Sequence, residues 1–365
     1  MVGIILAAVA LLLVAATLGL ASWVASSLLL EPHRDLVREG ADIRALRGDQ
    51  VELSATRASV REGTYGLAFP GGYAVVGQVL HTKPGSVTRE LLGLSGRRLR
   101  TGDRVGVDPD VFKGDPLKAL GIPFREITYP DPLGPMPAWL VPGEGLTWAI
   151  FVHGIDGTRE DGLRDLPPLV AARIPTLVIS YRNDPDAPRS PDGMVHLGMT
   201  EWQDLEAAAG LAVRHGARDL VLLGDSIGGA IVTRFMRESP MAARVSRLVL
   251  DSPALDWRSI IARQAERLRV PFLGGTTELM IKARIGIDWA GMDEIAHASD
   301  FRVPILLFQG LDDDLVPAAD SEAFARRLPG LVTLVRVPGA GHVECWNVDP
   351  EAYEERLRAF VSGAR

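Results

Sequence analysis

The stretch Asp219–Gly229 (DLVLLGDSIGG) constrains the fold more than any other part of the chain. Asp219–Leu223 is a short apolar run of the kind a buried parallel strand needs. It leads into Gly224-Asp225-Ser226-Ile227-Gly228 and, past Gly229, into a helical pattern over Ala230–Arg237. G-x-S-x-G between a strand and a helix predicts a sharp turn that forces the serine into a strained conformation, with the flanking glycines leaving it room. The helix that follows aims its first backbone N–H groups at any oxyanion forming over the serine. A purely structural glycine turn gives the same pentapeptide, so the partners of a reactive serine must be sought downstream.

The surroundings of that turn have a regular order. Phe124–Tyr129 and Met136–Val141 read as a starting hairpin. Strands are expected at Thr147–Val152, Thr176–Ile179, Arg247–Asp251, Ile305–Phe308 and Thr333–Val337. Between them lie helical patterns at Gly162–Ala172, Glu201–His215, Ser321–Leu328 and Pro350–Val361. This alternation predicts a mostly parallel sheet with helices on both faces, and a ligand site beyond the carboxyl ends of its strands. A chain of 365 residues holds one large α/β domain with an appendage. The net charge of −7 and the lack of a basic stripe exclude a nucleic-acid binder. A single cysteine, Cys345, excludes an internal disulfide framework and a cysteine zinc site, and reads as a small buried apolar residue.

Ahead of the α/β pattern the chain changes character twice. Val2–Leu30 carries no charged residue and is long enough to span a bilayer, so residues 1–30 are expected to form an uncleaved transmembrane helix. A cleavable signal peptide ending near Ala25-Ser26-Ser27 fits less well, because the apolar run is too long and no basic residue precedes it. A buried core helix is disfavoured by the lack of a polar face. Arg34, Arg38, Arg44 and Arg47 follow the run, which places the body of the protein on the cytoplasmic side of a bacterial cell membrane, although Glu31, Asp35, Glu39 and Asp42 are interleaved. Residues 31–50 read as a juxtamembrane stalk. In 51–121, turn pairs such as Gly71-Gly72 and Pro84-Gly85 separate short apolar stretches, the pattern of a small strand-rich module. Nothing in that module forms a catalytic constellation: Asp103, Asp108, Asp110 and Asp115 read as loop acids, and Tyr65, Phe69 and Tyr73 as packing. Residues 122–365 make the main domain.

A serine hydroxyl becomes a nucleophile only when a base takes its proton and a third group orients that base. Two histidines follow Ser226, His297 and His342. His297 falls in a helical stretch before the Ile305 strand, whereas His342 closes Gly339-Ala340-Gly341-His342 directly after the Thr333 strand, the place for a base. Asp312, Asp313 and Asp314 follow the strand at Ile305–Gly310, and spacing alone does not choose among them; Asp251, at the end of its own strand, is a substitute.

Four motifs carry a resemblance to the α/β-hydrolase superfamily of serine hydrolases over about 124–361: His153-Gly154-Ile155-Asp156-Gly157, Gly224–Gly228, Gly310-Leu311-Asp312-Asp313-Asp314-Leu315-Val316-Pro317 and Gly341-His342. The resemblance implies an α/β-hydrolase fold in which the acid stands three residues after the glycine closing its strand, hence Asp313. It implies that the backbone N–H groups of Ile155 and Ile227 form the oxyanion hole, that His153 is structural, and that about 255–298 makes a short helical lid; Trp257, Phe272 and Trp289 there either roof an acyl or aromatic group or serve as ordinary packing. Gln309 departs from the family, where a histidine often stands. His196, in the loop 182–199, reads as a filler. The implied function is a membrane-tethered serine hydrolase that cleaves an ester, thioester or amide through an acyl-enzyme, carboxylesterase- or lipase-like, with Ser226, His342 and Asp313 as its triad. A serine peptidase of the prolyl-oligopeptidase clan and a catalytically silent membrane scaffold are the alternatives. The expected partner is a small-molecule or peptide acyl substrate, with no metal and no organic cofactor; the oligomeric state is not written in the sequence.

Overall fold

The protein is described here by a computed structural model covering residues 2–32 and 39–363, with side chains from residue 15 onward. The first element is α1 (Val2–Leu30). Its C-terminal part lies along α7 (Phe272–Ile285) of the main domain. Ser22 donates to the Thr276 hydroxyl at 2.7 Å. Arg284 donates to the hydroxyls of Ser26 and Ser27, both at 2.9 Å, and to Glu31 at 2.6 Å. Leu30 is fully buried in the main core.

The expectation of a single-pass anchor in a bacterial cell membrane is corrected here. Among the described residues no helix is long and apolar enough to cross a membrane, and the assignment of the body to the cytoplasmic side falls with it. A polar contact face was missed in the sequence because it is built from uncharged serines. Their partners lie far downstream in the chain. Of the arginines used for orientation, Arg34 and Arg38 fall outside the described residues, and Arg44 and Arg47 belong to a strand.

That strand is β1 (Gly40–Arg47), the first of a closed barrel with β2 (Gln50–Ser54), β3 (Tyr65–Phe69), β4 (Gly72–Lys83), β5 (Ser86–Gly96) and β6 (Arg104–Asp108), in the order β1-β2-β5-β4-β3-β6. The module therefore starts at Gly40 and not at Val51, which corrects the expected stalk over its 40–50 part; residues 33–38 of that stalk lie outside the described residues. Ala41 and Ile43 point inward while Asp42 and Arg44 point outward, so Asp42 and Arg44 lie on the solvent face of a period-2 strand. Inward Val51, Leu53, Leu67, Val76, Val87 and Val105 fill the barrel. Closure removes the unpaired edges that a small sheet would otherwise expose.

Past α2 (Pro116–Leu120), whose first turn is capped by Asp115 and whose end is set by left-handed Gly121, the chain enters an eight-stranded mixed sheet. Its strands are β7 (Arg125–Asp131), β8 (Gly134–Val141), β9 (Thr147–Val152), β10 (Thr176–Ile179), β11 (Asp219–Asp225), β12 (Val245–Asp251), β13 (Ile305–Gly310) and β14 (Val332–Val337), in the order β14-β13-β12-β11-β9-β10-β8-β7. All pairs from β14 to β10 are parallel; β8 and β7 are added antiparallel. The inner strands are apolar on both faces. Ile150, Val152, Leu222 and Leu250 pack with α4 (Trp202–Arg214), α5 (Ile227–Glu238) and α8 (Ala318–Arg327). Phe151, Val221, Val249 and Phe308 pack with α3 (Leu166–Ala171) and α10 (Pro350–Val361) on the other side. Each such side chain contributes about 1.5–3 kcal/mol through burial, which fixes the strand register and with it the loops at the carboxyl ends. Strand order reverses at β9, so the ends of β9 and β11 face one crevice, the switch point where ligands bind in sheets of this kind.

The segment expected to form a lid contains α6 (Trp257–Arg267) and α7, and it does not roof the crevice. Trp257 is buried with its indole N–H on the Leu197 carbonyl at 3.0 Å, while Phe272 faces outward. One side of α6 instead grips the loop after β13: Arg263 donates to the Asp313 carbonyl at 3.0 Å and Gln264 to the Asp314 carbonyl at 2.9 Å.

Candidate active site

Ser226 stands between β11 and α5 with φ 53° and ψ −115°, a strained conformation for a residue with a side chain. Several backbone bonds hold it there. Its N–H donates to the Asp251 carbonyl at 3.0 Å, and its carbonyl accepts from Ala254 N–H at 3.0 Å. The glycines on either side are required by close approach. A Cβ on Gly224 would lie 2.5 Å from the Gly228 oxygen, and one on Gly228 would lie 2.1 Å from the Val152 oxygen at the end of β9.

His342 reaches Ser226 from the loop after β14. Its Nε2 is 2.8 Å from the Ser226 Oγ, and its Nδ1 is 2.8 Å from the Asp313 Oδ2. With Nδ1–H donating to the carboxylate, Nε2 is free to accept the serine hydroxyl hydrogen. Asp313 is buried, and its second oxygen accepts from the N–H groups of Leu315 and Val316, both at 2.8 Å. Gln309 lies 3.4 Å from Oδ2 and is itself fixed by Ser321 at 2.7 Å, so the residue that departs from the family pattern acts as a strut for the acid. Of the three consecutive aspartates, Asp313 is the one that meets His342. Asp312 is exposed, and Asp314 points away to Arg267 at 2.9 Å and Arg57 at 2.8 Å. Asp251 lies beneath the elbow, accepting from Ser252 at 3.0 Å, and does not meet His342. His297 sits on the surface near Asp300, and His196 pairs with Asp192 at 3.2 Å away from the crevice.

Ile227 begins α5, so its N–H lies in the first turn, where no intrahelical acceptor exists. Ile155 follows Gly154, where a Cβ would sit 3.5 Å from the Ser226 Cβ. These two residues flank the serine from the ends of β11 and β9. His153, buried behind them, donates from Nδ1 to the Gly154 carbonyl and from Nε2 to Asp184, each at 2.8 Å, and stacks on Tyr181 with ring centres 4.4 Å apart. Burial alone would push the imidazole down, but the Asp184 carboxylate overrides this and pushes it up to about 9. His153 is thus a charged brace under the Gly154–Ile155 peptide and faces away from the reacting groups.

Ser226 and His342 open into a cleft of about 660 Å³ whose walls include Ile155, Thr158, Leu315, Asp110 and Lys113. Two of these, Asp110 and Lys113, come from the segment just after the barrel, where the sequence showed only loop acids. Arg164, also missed, ties the site together from below: it donates to Asp225 at 2.6 Å and to the Val343 carbonyl at 2.9 Å. Tyr65, read as packing, donates to Glu344 at 3.1 Å. None of these contacts has a local signal, because each joins residues distant in sequence. Cys345 is buried behind the site beside Asp251, and its thiol is pushed well up by burial. Among the described residues no cluster of His, Cys, Asp and Glu is arranged to hold a metal ion.

Comparison with known proteins adds the following. A family model described as the alpha/beta hydrolase family matches residues 140–356, and one described as a domain of unknown function (DUF8805) matches residues 42–108, the barrel. No curated protein matches the sequence. Among solved structures, the esterase Pf2001 of Pyrococcus furiosus is similar in two crystal forms. One gives a TM-score of 0.55 at 18% identity, covering 69% of this chain and 97% of that one. The other gives 0.56 at 18% identity, covering 69% and 95%. A thermophilic esterase from Thermogutta terrifontis gives 0.48 at 20% identity, covering 66% and 99%. With the family match spanning more than half the chain, the chain belongs to the alpha/beta hydrolase family.

Proposed function

We propose that this chain is a serine hydrolase that cleaves carboxylic esters through an acyl-enzyme. The observation that carries the reading is the unbroken hydrogen-bonded line from Ser226 through His342 to Asp313, 2.8 Å at each step. In this mechanism His342 Nε2 takes the hydroxyl proton as the Ser226 oxygen attacks the acyl carbon. The Asp313 carboxylate holds the tautomer and stabilises the imidazolium that forms. Negative charge collects on the former carbonyl oxygen, where the N–H groups of Ile155 and Ile227 stabilise it, each contributing about 3 kcal/mol in the transition state. His342 then returns the proton to the leaving alkoxide, and the ester bond breaks to leave acylated Ser226. Water, deprotonated by His342, releases the acid by the same steps in reverse.

The cleft narrows the substrate. Asp110, Lys113, Asp156 and Glu160 line it beside Pro109, Ile155, Leu315 and Val343. An acyl chain long enough to cover these four charged side chains would strip them of water, so the reading takes a short acyl group as the substrate. The test is labelling by a fluorophosphonate probe together with hydrolysis of p-nitrophenyl esters of increasing length. The reading requires labelling that disappears in Ser226→Ala and rates highest for acetate or butyrate. A folded protein that neither labels nor turns over any ester refutes it.

A further inference from the structure

The barrel is more than an appendage to the hydrolase domain. Its segment 61–65 rests on the loop that carries His342. Arg61 forms an ion pair with Glu344, and the Tyr65 hydroxyl donates to the other oxygen of the same carboxylate at 3.1 Å. That oxygen also accepts from the Gly341 N–H at 3.3 Å, so Glu344 closes the loop around His342 from both sides of it. Thr64 N–H donates to the Asn347 carbonyl at 2.7 Å, and the Asn347 amide returns bonds to the carbonyls of Thr64 and Pro109, both at 2.8 Å. The fit is close enough that a Cβ on Gly63 would lie 2.1 Å from the Asn347 oxygen. Within the barrel, buried Arg89 fixes this segment by donating to the carbonyls of Ser59, Arg61 and Gly63.

The chain leaving β6 performs the second half of the task. Phe112 packs edge-on against Trp346, with ring centres 5.5 Å apart. Gly114 N–H donates to Glu160 at 2.9 Å, which itself lines the cleft. One short segment thus spans from the His342 loop to the wall that begins at Ile155. On the acid side, Arg57 of the barrel pairs with Asp314 at 2.8 Å, next to Asp313.

We propose that the N-terminal barrel is a working part of the active site: Arg61 and Tyr65 are positioning residues that hold the His342 loop through Glu344, and the segment after β6 completes the cleft. The proposal rests on the serine-hydrolase reading. It assigns the barrel a role in the chemical step, through Arg61 and Tyr65, which touch neither substrate nor reacting atoms. Loosening the clamp lets the imidazole drift from the Ser226 hydroxyl, which slows attack more than it weakens substrate binding.

The test uses the full chain with the variants Arg61→Met, Arg61→Lys and Tyr65→Phe. It reads kcat and KM on p-nitrophenyl acetate, the rate of fluorophosphonate labelling, and thermal unfolding. Arg61→Met is expected to lower kcat about tenfold or more with KM within about twofold, since small misplacements of reacting groups are costly in rate. The labelling rate should fall by a similar factor, and Arg61→Lys should recover much of both. Should Arg61→Met fail to fold, Tyr65→Phe decides, because it removes one hydroxyl: a severalfold loss in kcat supports the clamp. Variants that fold and then react and label at the parent rate overturn it while leaving the serine-hydrolase reading intact. A parent protein that cannot be labelled or made to hydrolyse an ester removes both.

Discussion

The Arg164 guanidinium and the Val343 carbonyl are 2.9 Å apart, and this contact fixes the residue next to His342 in a conformation it would not otherwise keep. Val343 has φ 55°, an outlier for a β-branched side chain. Its N–H is held by the hydroxyl of Ser252 at 3.2 Å, and Ser252 is itself at φ 48°. Ser226, at φ 53°, donates its N–H to the residue before Ser252. Three strained residues, Ser226, Ser252 and Val343, therefore meet beside His342. Strain of this kind, about 1–3 kcal/mol per residue, persists only where the surroundings over-determine it. Arg164 supplies much of that constraint, because its other arm is the 2.6 Å ion pair to Asp225, the residue preceding the serine.

Replacing Arg164 by Met removes the carbonyl contact and leaves the Asp225 carboxylate buried without its cation. Stability should fall by about 3 kcal/mol or more, and kcat should fall with it as Val343 relaxes. Adding Val343→Gly to that variant should restore part of kcat, since glycine holds φ 55° without penalty. It should restore little of the stability, which is lost at Asp225. Ester kinetics and urea titrations on the single and double variants check this; a double variant no faster than the single one refutes the link between strain and imidazole position.

The elbow allows no side chain at its second glycine. Gly228→Ala would place a methyl 2.1 Å from the Val152 carbonyl, which is backbone and cannot rotate away. The change should separate β9 from the start of α5, costing about 3 kcal/mol in urea unfolding and displacing the N–H of Ile227. Ester turnover should therefore drop even in protein that remains folded. Gly210→Ala, at a half-buried position of α4 where a Cβ meets only the tip of Arg214, serves as the control and should be neutral or slightly stabilising.

The parts of this architecture legible in the sequence are those encoded locally. The elbow needs its glycines within two residues of the serine, and the strands around it are short apolar runs that declare a buried sheet. His342 stands out because few histidines follow Ser226. Asp313 could be chosen only by the family register; its physical distinction from Asp312 and Asp314, the N–H groups of Leu315 and Val316 on Oδ1, exists only once the loop is folded. Contacts between distant segments left no trace. Arg61 reads as any surface arginine until Glu344 is beside it, and the serines of α1 look like part of an uninterrupted apolar run until Thr276 and Arg284 are in place. The expected lid failed for a related reason. The polar residues Arg263 and Gln264 of α6 meet backbone carbonyls of the acid loop, and a carbonyl carries no sequence signature.

The His153–Asp184 pair behind the Gly154–Ile155 peptide predicts a pH dependence of stability. His153 titrates near 9 in the folded protein and near 6.5 in an unfolded chain. Between those values the folded state holds a proton that the unfolded state has lost, so the contribution is complete below about pH 6.5 and disappears as pH rises through 9. The gain is bounded at roughly 3 kcal/mol, and the desolvation that pushes Asp184 up offsets part of it. Unfolding free energy of the parent should therefore decline from pH 6.5 to 9 more steeply than that of His153→Gln. Parallel slopes would show that the imidazole is neutral in the fold.

Asp251 carries the opposite lesson, because its charge is unwelcome. It is buried at the end of β12, and burial first, then the neighbouring Asp225 carboxylate, pushes its carboxyl up to about 7. As pH rises from 4 to 7 the unfolded chain releases this proton before the folded one does, so stability is lost over that interval and stays lost above it. Arg164 serves three buried acids at once, Asp225, Asp165 and Asp251, and forms its ion pair with the first. Asp251→Asn keeps an oxygen to accept from the Ser252 hydroxyl but has no proton to lose. At pH 8 the variant should be more stable than the parent by about 1 kcal/mol or more, and at pH 4.5 the advantage should vanish, because Asp251 is then protonated in the fold. Urea titrations at the two pH values decide the matter: equal destabilisation at both would mean that the Asp251 carboxylate is a needed partner in the network and not a buried charge the fold tolerates.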